Sequence, residues 1–97
     1  MSLVLAFDLG GGGLRGGLID AEGGLRAYAP PRPVSTGAPG GEYDPSRWRA
    51  ALVEVAQALA AADPAGFAAA AAVAICGFTR TQVFLDADGA PVHPALG

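Results

Sequence analysis

The stretch Val4 to Ile19, VLAFDLGGGGLRGGLI, constrains this chain more than any other. An apolar run leads into Asp8, four glycines follow (Gly10, Gly11, Gly12, Gly13), and an apolar segment resumes from Leu14 to Asp20. The pattern predicts a strand, a tight glycine turn and a second strand. Glycine tolerates positive φ and, lacking a Cβ, lets the backbone approach a ligand closely. The N–H groups such a turn exposes can cradle a phosphate. A glycine-rich hairpin with no ligand fits the same residues, and the loop chemistry alone does not choose between the two.

Leu3 to Phe7 shows no polar alternation, which predicts a strand buried on both faces and central in its sheet. Leu14 to Asp20 alternates weakly, with Arg15 on the face opposite Leu14, Gly16 and Leu18. Ala21-Glu22-Gly23-Gly24 is a turn signal. Leu25 to Ala29 then predicts a third strand, stopped by Pro30, Pro31 and Pro33, so the first three elements form an antiparallel meander. Val34 to Tyr43 reads as a surface loop. Asp44 is a good N-cap and Pro45 suits the first helical position. Trp48, Leu52, Val55 and Leu59 then mark one helical face that runs to Ala62. Asp63-Pro64 ends this helix, because the residue before proline disfavours the α conformation. A short helical turn around Phe67 follows from the alanines. Ala71 to Cys76 predicts a second buried strand, and a helix followed by a buried strand brings that strand in parallel to an earlier one. Val83-Phe84-Leu85, the turn Asp86-Ala87-Asp88-Gly89 and Pro91-Val92-His93 read as a short hairpin.

The chain has 97 residues, with six Arg, no Lys and nine acids, a net charge of −3. That balance argues against a nucleic-acid binder, which presents a basic face. Over half the residues are apolar and 15 are glycine. Much of the apolar share is alanine, which buries little area, so the core is modest. A lobe stabilised by the rest of a larger protein fits this better than a free-standing domain. Apolar surface left uncovered in such a lobe favours homo-oligomer formation. One cysteine, Cys76, permits no internal disulfide, which is compatible with a reducing cytoplasm. The N-terminus lacks the pattern of a signal peptide. The longest apolar run, Phe67 to Phe78, is too short to span a bilayer. Cys76 is expected to be a small buried side chain near the site, Trp48 a core anchor of the helix, and Asp86 and Asp88 turn residues. His93 stands alone beside prolines with no metal set around it.

The order of elements and motifs resembles the actin/hexokinase/heat-shock ATPase superfamily and, within it, the FGGY carbohydrate kinases. Three stretches carry the match. FDLGGGGLRGGLID, Phe7 to Asp20, resembles the first phosphate motif, commonly D-(L/I/V)-G-T-x-x-x-R followed by an apolar strand. EYDPSRW, Glu42 to Trp48, resembles the helix start E-Q-D-P-x-x-W. ICGFTRTQVFLDADGAPVHPAL, Ile75 to Leu96, resembles I-S-G-Q-M-H-G-x-V-x-L-D-x-x-G-x-P-L-x-P. The first motif alone is weak; the three in order are fairly specific, and they run over nearly the whole chain.

The resemblance implies a ribonuclease H-like α/β mixed sheet, in the order β-β-β-α-β followed by a short hairpin, forming the N-terminal part of the first domain of such a kinase. Within it, residues 1–31 are the meander with its phosphate turn, 34–43 a loop, 45–62 the helix, 71–76 the strand, and 77–97 the substrate loop and hairpin. The implied reaction moves the γ-phosphoryl of ATP to a sugar or polyol hydroxyl. Asp8 would hold Mg²⁺ through water, Gly10, Gly11, Gly12 and Gly13 would offer N–H groups to the phosphates, and Arg15 would balance phosphate charge or bind an acidic neighbour. Thr79 and Arg80 would face the sugar. An arginine's five N–H donors suit a hydroxyl-rich or carboxylate-bearing substrate.

Two departures stand out. Gly11 and Gly12 occupy positions where relatives carry Thr and often Ser. Phe78-Thr79-Arg80 stands where relatives show Gln-Met-His or Arg-Glu. The family's general base, its adenosine-binding motifs and its W-x-D-x-R stretch have no counterpart here, and no acid of this chain takes the role of base. Two other readings stay open: a non-enzymatic remnant or pseudokinase that binds a sugar or a partner, and another ATPase of the superfamily that uses Asp-x-Gly for ATP alone.

Overall fold

A computed structural model describes residues 2–10, 13–34, 44–77, 83 and 85–91. The elements are β1 (Leu3–Gly10), β2 (Gly13–Asp20), β3 (Leu25–Arg32), α1 (Pro45–Ala62), α2 (Pro64–Ala68) and β4 (Ala70–Cys76). They form an α/β partial domain around one mixed sheet of order β3-β2-β1-β4. β1 pairs antiparallel with β2 and parallel with β4, and β2 pairs antiparallel with β3. The meander and the crossover through the helices therefore match the expected order, and β1 is central.

Local chemistry accounts for the boundaries. Asp20 closes the second turn by accepting from the N–H groups of Glu22 at 3.1 Å and Gly24 at 2.7 Å. Asp44 caps α1 by accepting from the Ser46 N–H at 2.9 Å, with Pro45 in the first turn, where its missing N–H costs nothing. Asp63 serves both helices. Its N–H closes α1 on the Leu59 carbonyl, and its carboxylate accepts from the Gly66 N–H to start α2.

The helices cover one face of the sheet. α1 lies over β2 and β3, and α2 against β1. Leu3 and Phe7 of β1, Leu14 and Leu18 of β2, and Ala51, Val55 and Leu59 of α1 are buried there. Trp48 and Leu52 pack against this core from its margin, so the buried line of α1 is centred on Ala51, one step round from the face read in the sequence. Gly16 makes the close approach possible. A Cβ there would meet the Val55 Cγ1 at 2.5 Å and the Phe7 ring at 3.2 Å.

Five expectations are corrected. β1 is covered on one face only: Val4, Ala6 and Asp8 are half-buried on the side away from the helices. β3 runs on through Pro30 and Pro31 to Arg32, because it is an edge strand and the N–H groups proline lacks are not needed on the outer side. Val34, expected in a surface loop, is fully buried in the core. β4 is not a buried strand: residues 71–76 are exposed, since neither α1 nor α2 reaches over this edge, and Val73 and Ile75 stand 60% and 63% open. Cys76 is exposed for the same reason. The expected hairpin is represented among the described residues by one bridge, Leu85 to Pro91. Its turn is tied by the Asp86 carboxylate, which accepts from the N–H groups of Asp88 and Ala90 at 2.9 Å each. His93 and most of the 34–43 loop lie outside the described residues. No helix among the described residues is long and apolar enough to cross a membrane.

This one-sided core sets the expected response to substitution. Leu18→Ala should cost about 2–5 kcal/mol, Gly16→Ala about 1–3 kcal/mol by overpacking, and Ile75→Ala no more than about 0.5 kcal/mol, each read by denaturant unfolding followed by circular dichroism. A loss at Ile75 as large as at Leu18 would contradict the picture. Ile75→Lys should lower self-association at high protein concentration in light scattering, and an unchanged association state would show that β4 is not the adhesive edge.

Candidate functional site

The two strands of the first hairpin end in glycines that pair with each other, Gly10 with Gly13. Two residues, Gly11 and Gly12, join them and lie outside the described residues. Gly13 has φ +147, and a Cβ on it would meet the Arg32 carbonyl oxygen at 2.6 Å and the Pro31 Cβ at 3.1 Å. The closing position of the turn thus needs a residue without a side chain, both for its backbone angle and for its contact with β3.

The same register places Asp8 opposite Arg15. Side chains alternate along each strand, so Leu14, Gly16 and Leu18 facing the helices turn Arg15 to the other face of the sheet, where Asp8 also points. There the two side chains meet. The Arg15 Nε donates to the Asp8 Oδ2 at 3.1 Å, and Nη2 reaches the same oxygen at 3.0 Å. Both side chains are about half exposed. The hydrogen bond to Asp8, and after it one with the phenol of Tyr28, pushes the Arg15 guanidinium above its ordinary value, so it is a cation at any working pH. Tyr28 pairs with Gly17 across β2 and β3, which sets it on the Arg15 face.

On its other side Asp8 pairs with Cys76, the last residue of β4. β1 and β4 are parallel, so their carboxyl ends finish side by side, the edge where open α/β sheets receive ligands. The chain leaves β4 at Gly77 from this edge. Thr79 and Arg80, the residues expected to face a sugar, lie outside the described residues. A concavity of about 480 Å³ opens on the uncovered face, with Asp8, Arg15, Gly17, Tyr28, Ala74 and Cys76 among its lining residues.

The sequence-level site is therefore gathered at one place as far as it is described: Asp8, Arg15 and the paired ends of the glycine turn. Tyr28 was not expected there, whereas Cys76 was expected near the site and lines it exposed rather than buried. The register of β3 shifts at two points, between Leu14 and Gly16 and between Leu18 and Ile19, so the face of Tyr28 cannot be counted out from the sequence. The signal that places Cys76 is the crossover, since a parallel partner of β1 ends where β1 does.

The donor set suits a hard cation sparsely. Among the described residues no cluster of three or more His, Cys, Asp and Glu side chains exists. One half-exposed carboxylate at a strand end is what magnesium uses when it keeps most of its waters and takes phosphate oxygens from a nucleotide.

No protein-family model matches the chain, and no curated protein matches it. Solved structures do. A xyloylose kinase from Brucella ovis superposes on 97% of this chain with TM-score 0.83 and 30% identity, and the match takes up 20% of that enzyme's chain. A ligand-bound xylulose kinase from Lactobacillus acidophilus superposes on 99% with TM-score 0.80 and 19% identity, again over 19% of its chain. This chain thus spans about one fifth of the length of the kinases it matches. Its structural neighbours are xylulose kinases of the FGGY type, and its fold is that of a part of a sugar kinase of the actin-like ATPase class.

Proposed function

We propose that this chain is the phosphate-facing part of an ATP-dependent carbohydrate kinase, working on a sugar or polyol hydroxyl as one piece of a larger catalytic unit. One observation carries the reading. The Asp8–Arg15 pair and the glycine turn stand together at the carboxyl ends of β1 and β4, in a fold that matches xylulose kinases over nearly the whole chain. Phosphoryl transfer depends on positioning and charge stabilisation more than on covalent chemistry, and these are the services such a turn provides.

In this reading Asp8 holds Mg²⁺ through water, the N–H groups of Gly10 to Gly13 receive phosphate oxygens, and Arg15 supplies positive charge beside them. When bound, the metal ion would neutralise charge on the transferring phosphates. Thr79 and Arg80 contact the sugar hydroxyls. No acid of this chain is assigned as general base. A cytoplasmic location goes with the reading, where a single unpaired cysteine is compatible with reducing conditions. Gly11 and Gly12 favour a second reading, a sugar- or partner-binding remnant, because they remove hydroxyls that relatives place near the phosphates.

Two measurements separate these. The isolated chain should release no ADP above background in a coupled assay across a panel of sugars and polyols, and robust turnover would sink the claim that it needs a larger unit. Calorimetric titration with ATP should show weak binding that requires Mg²⁺ and falls at least roughly tenfold in Asp8→Asn. Binding of equal strength without Mg²⁺, or no loss in Asp8→Asn, would remove Asp8 from the site.

A further inference from the structure

The contact between Arg15 and Asp8 is asymmetric. A guanidinium and a carboxylate that meet as two forks use both oxygens. Here Nε and Nη2 both converge on Oδ2, at 3.1 Å and 3.0 Å. Among the described residues no donor reaches Oδ1. The pair is local and well determined by the strands. Asp8 and Arg15 are direct partners in the β1–β2 register, and the Tyr28 phenol bears on the guanidinium from β3. The pair is also openable. Both side chains are about half exposed, and exposed ion pairs of this kind are weak and screened by salt.

We propose that Arg15 is a positioning residue that stands in for a cation at Asp8, holding Oδ2 and keeping the carboxylate from taking a divalent metal that arrives without its nucleotide. The proposal rests on the reading of Asp8 as the metal carboxylate. Its physics is simple. A bare divalent ion meets a pair whose charges cancel, and to bind closely it must approach a guanidinium of its own sign. A metal–nucleotide complex brings phosphate oxygens, which give Arg15 a second place to put its charge. The ion pair is therefore spent on the complex and withheld from the free ion. Arg15 does more than add positive charge near phosphates, the role its motif implies: it selects the form in which the metal enters.

The test uses Mn²⁺ as the probe, followed by electron paramagnetic resonance of the free ion, on the unaltered chain and on Arg15→Ala, Arg15→Lys, Asp8→Asn and the Arg15→Ala/Asp8→Asn double variant. Circular dichroism checks that each is folded. Without nucleotide, Arg15→Ala should bind Mn²⁺ roughly two- to fivefold more tightly than the unaltered chain. The gain should vanish in the double variant and shrink at high salt. Arg15→Lys, which keeps the charge, should stay close to the unaltered chain. With ATP present the order should reverse, and Arg15→Ala should bind the Mn²⁺–nucleotide complex more weakly than the unaltered chain. Bare Mn²⁺ binding that is unchanged or weaker in Arg15→Ala would overturn the proposal while leaving Asp8 as a metal carboxylate. A gain that survives in the double variant would overturn it too, because the new site would not be Asp8. If Asp8→Asn leaves the Mn²⁺–nucleotide complex bound as before, the metal reading of Asp8 itself falls.

Discussion

Everything about the candidate site follows from how closely α1 presses on β2. Val55 sits over Gly16, where even a single added carbon would lie 2.5 Å from its methyl group. That contact settles which face of β2 is covered. In a strand the faces alternate, so burying Leu14, Gly16 and Leu18 under the helix obliges Arg15 and Gly17 to face the other way. A slip of one residue would bury Arg15 and expose Leu18. The hydrophobic contact between helix and sheet thus decides the position of a charge that does not take part in it.

The glycine turn transmits the same constraint to β1. With Gly10 and Gly13 paired and two residues between them, the hairpin ladder is fixed, and Asp8 comes opposite Arg15. β4 then adds itself in parallel beside β1, so the carboxyl ends of two strands, the turn and the ion pair share one edge. The ion pair adds little to stability, being half exposed. Its value lies in position: a carboxylate with one oxygen held by Arg15, at the strand end where the glycine turn begins. This is an arrangement suited to phosphate and a hydrated cation, and it stands in a fold shared with xylulose kinases.

Much of this was legible in the residues. The glycine run announced the turn, Asp44-Pro45 the start of α1, Asp63-Pro64 its end, and the crossover a parallel fourth strand. The Asp8–Arg15 pair was within reach as well, since a two-residue turn at 11–12 makes paired positions sum to 23. What was not legible depends on neighbours rather than on local sequence. An apolar run such as Ala70 to Cys76 says that a strand can be buried, and only the placement of the helices shows that no described helix covers it. Pro30 and Pro31 look like strand breakers until β3 proves to be an edge. Val34 lies in a polar stretch and is nonetheless buried in the cluster that holds Val55 and Leu59. Tyr28 was hidden by the two register shifts of β3.

The central claim is that the turn from Gly10 to Arg15 is where this chain meets phosphate. Amide-resolved NMR of the labelled chain, titrated with ATP in the presence and absence of Mg²⁺, tests it most directly. Mg²⁺-dependent shifts should concentrate in the amides of residues 8 to 15, with α1 and β3 beyond Tyr28 little affected. Shifts that cluster elsewhere, or a turn that stays silent while nucleotide binds, would contradict it.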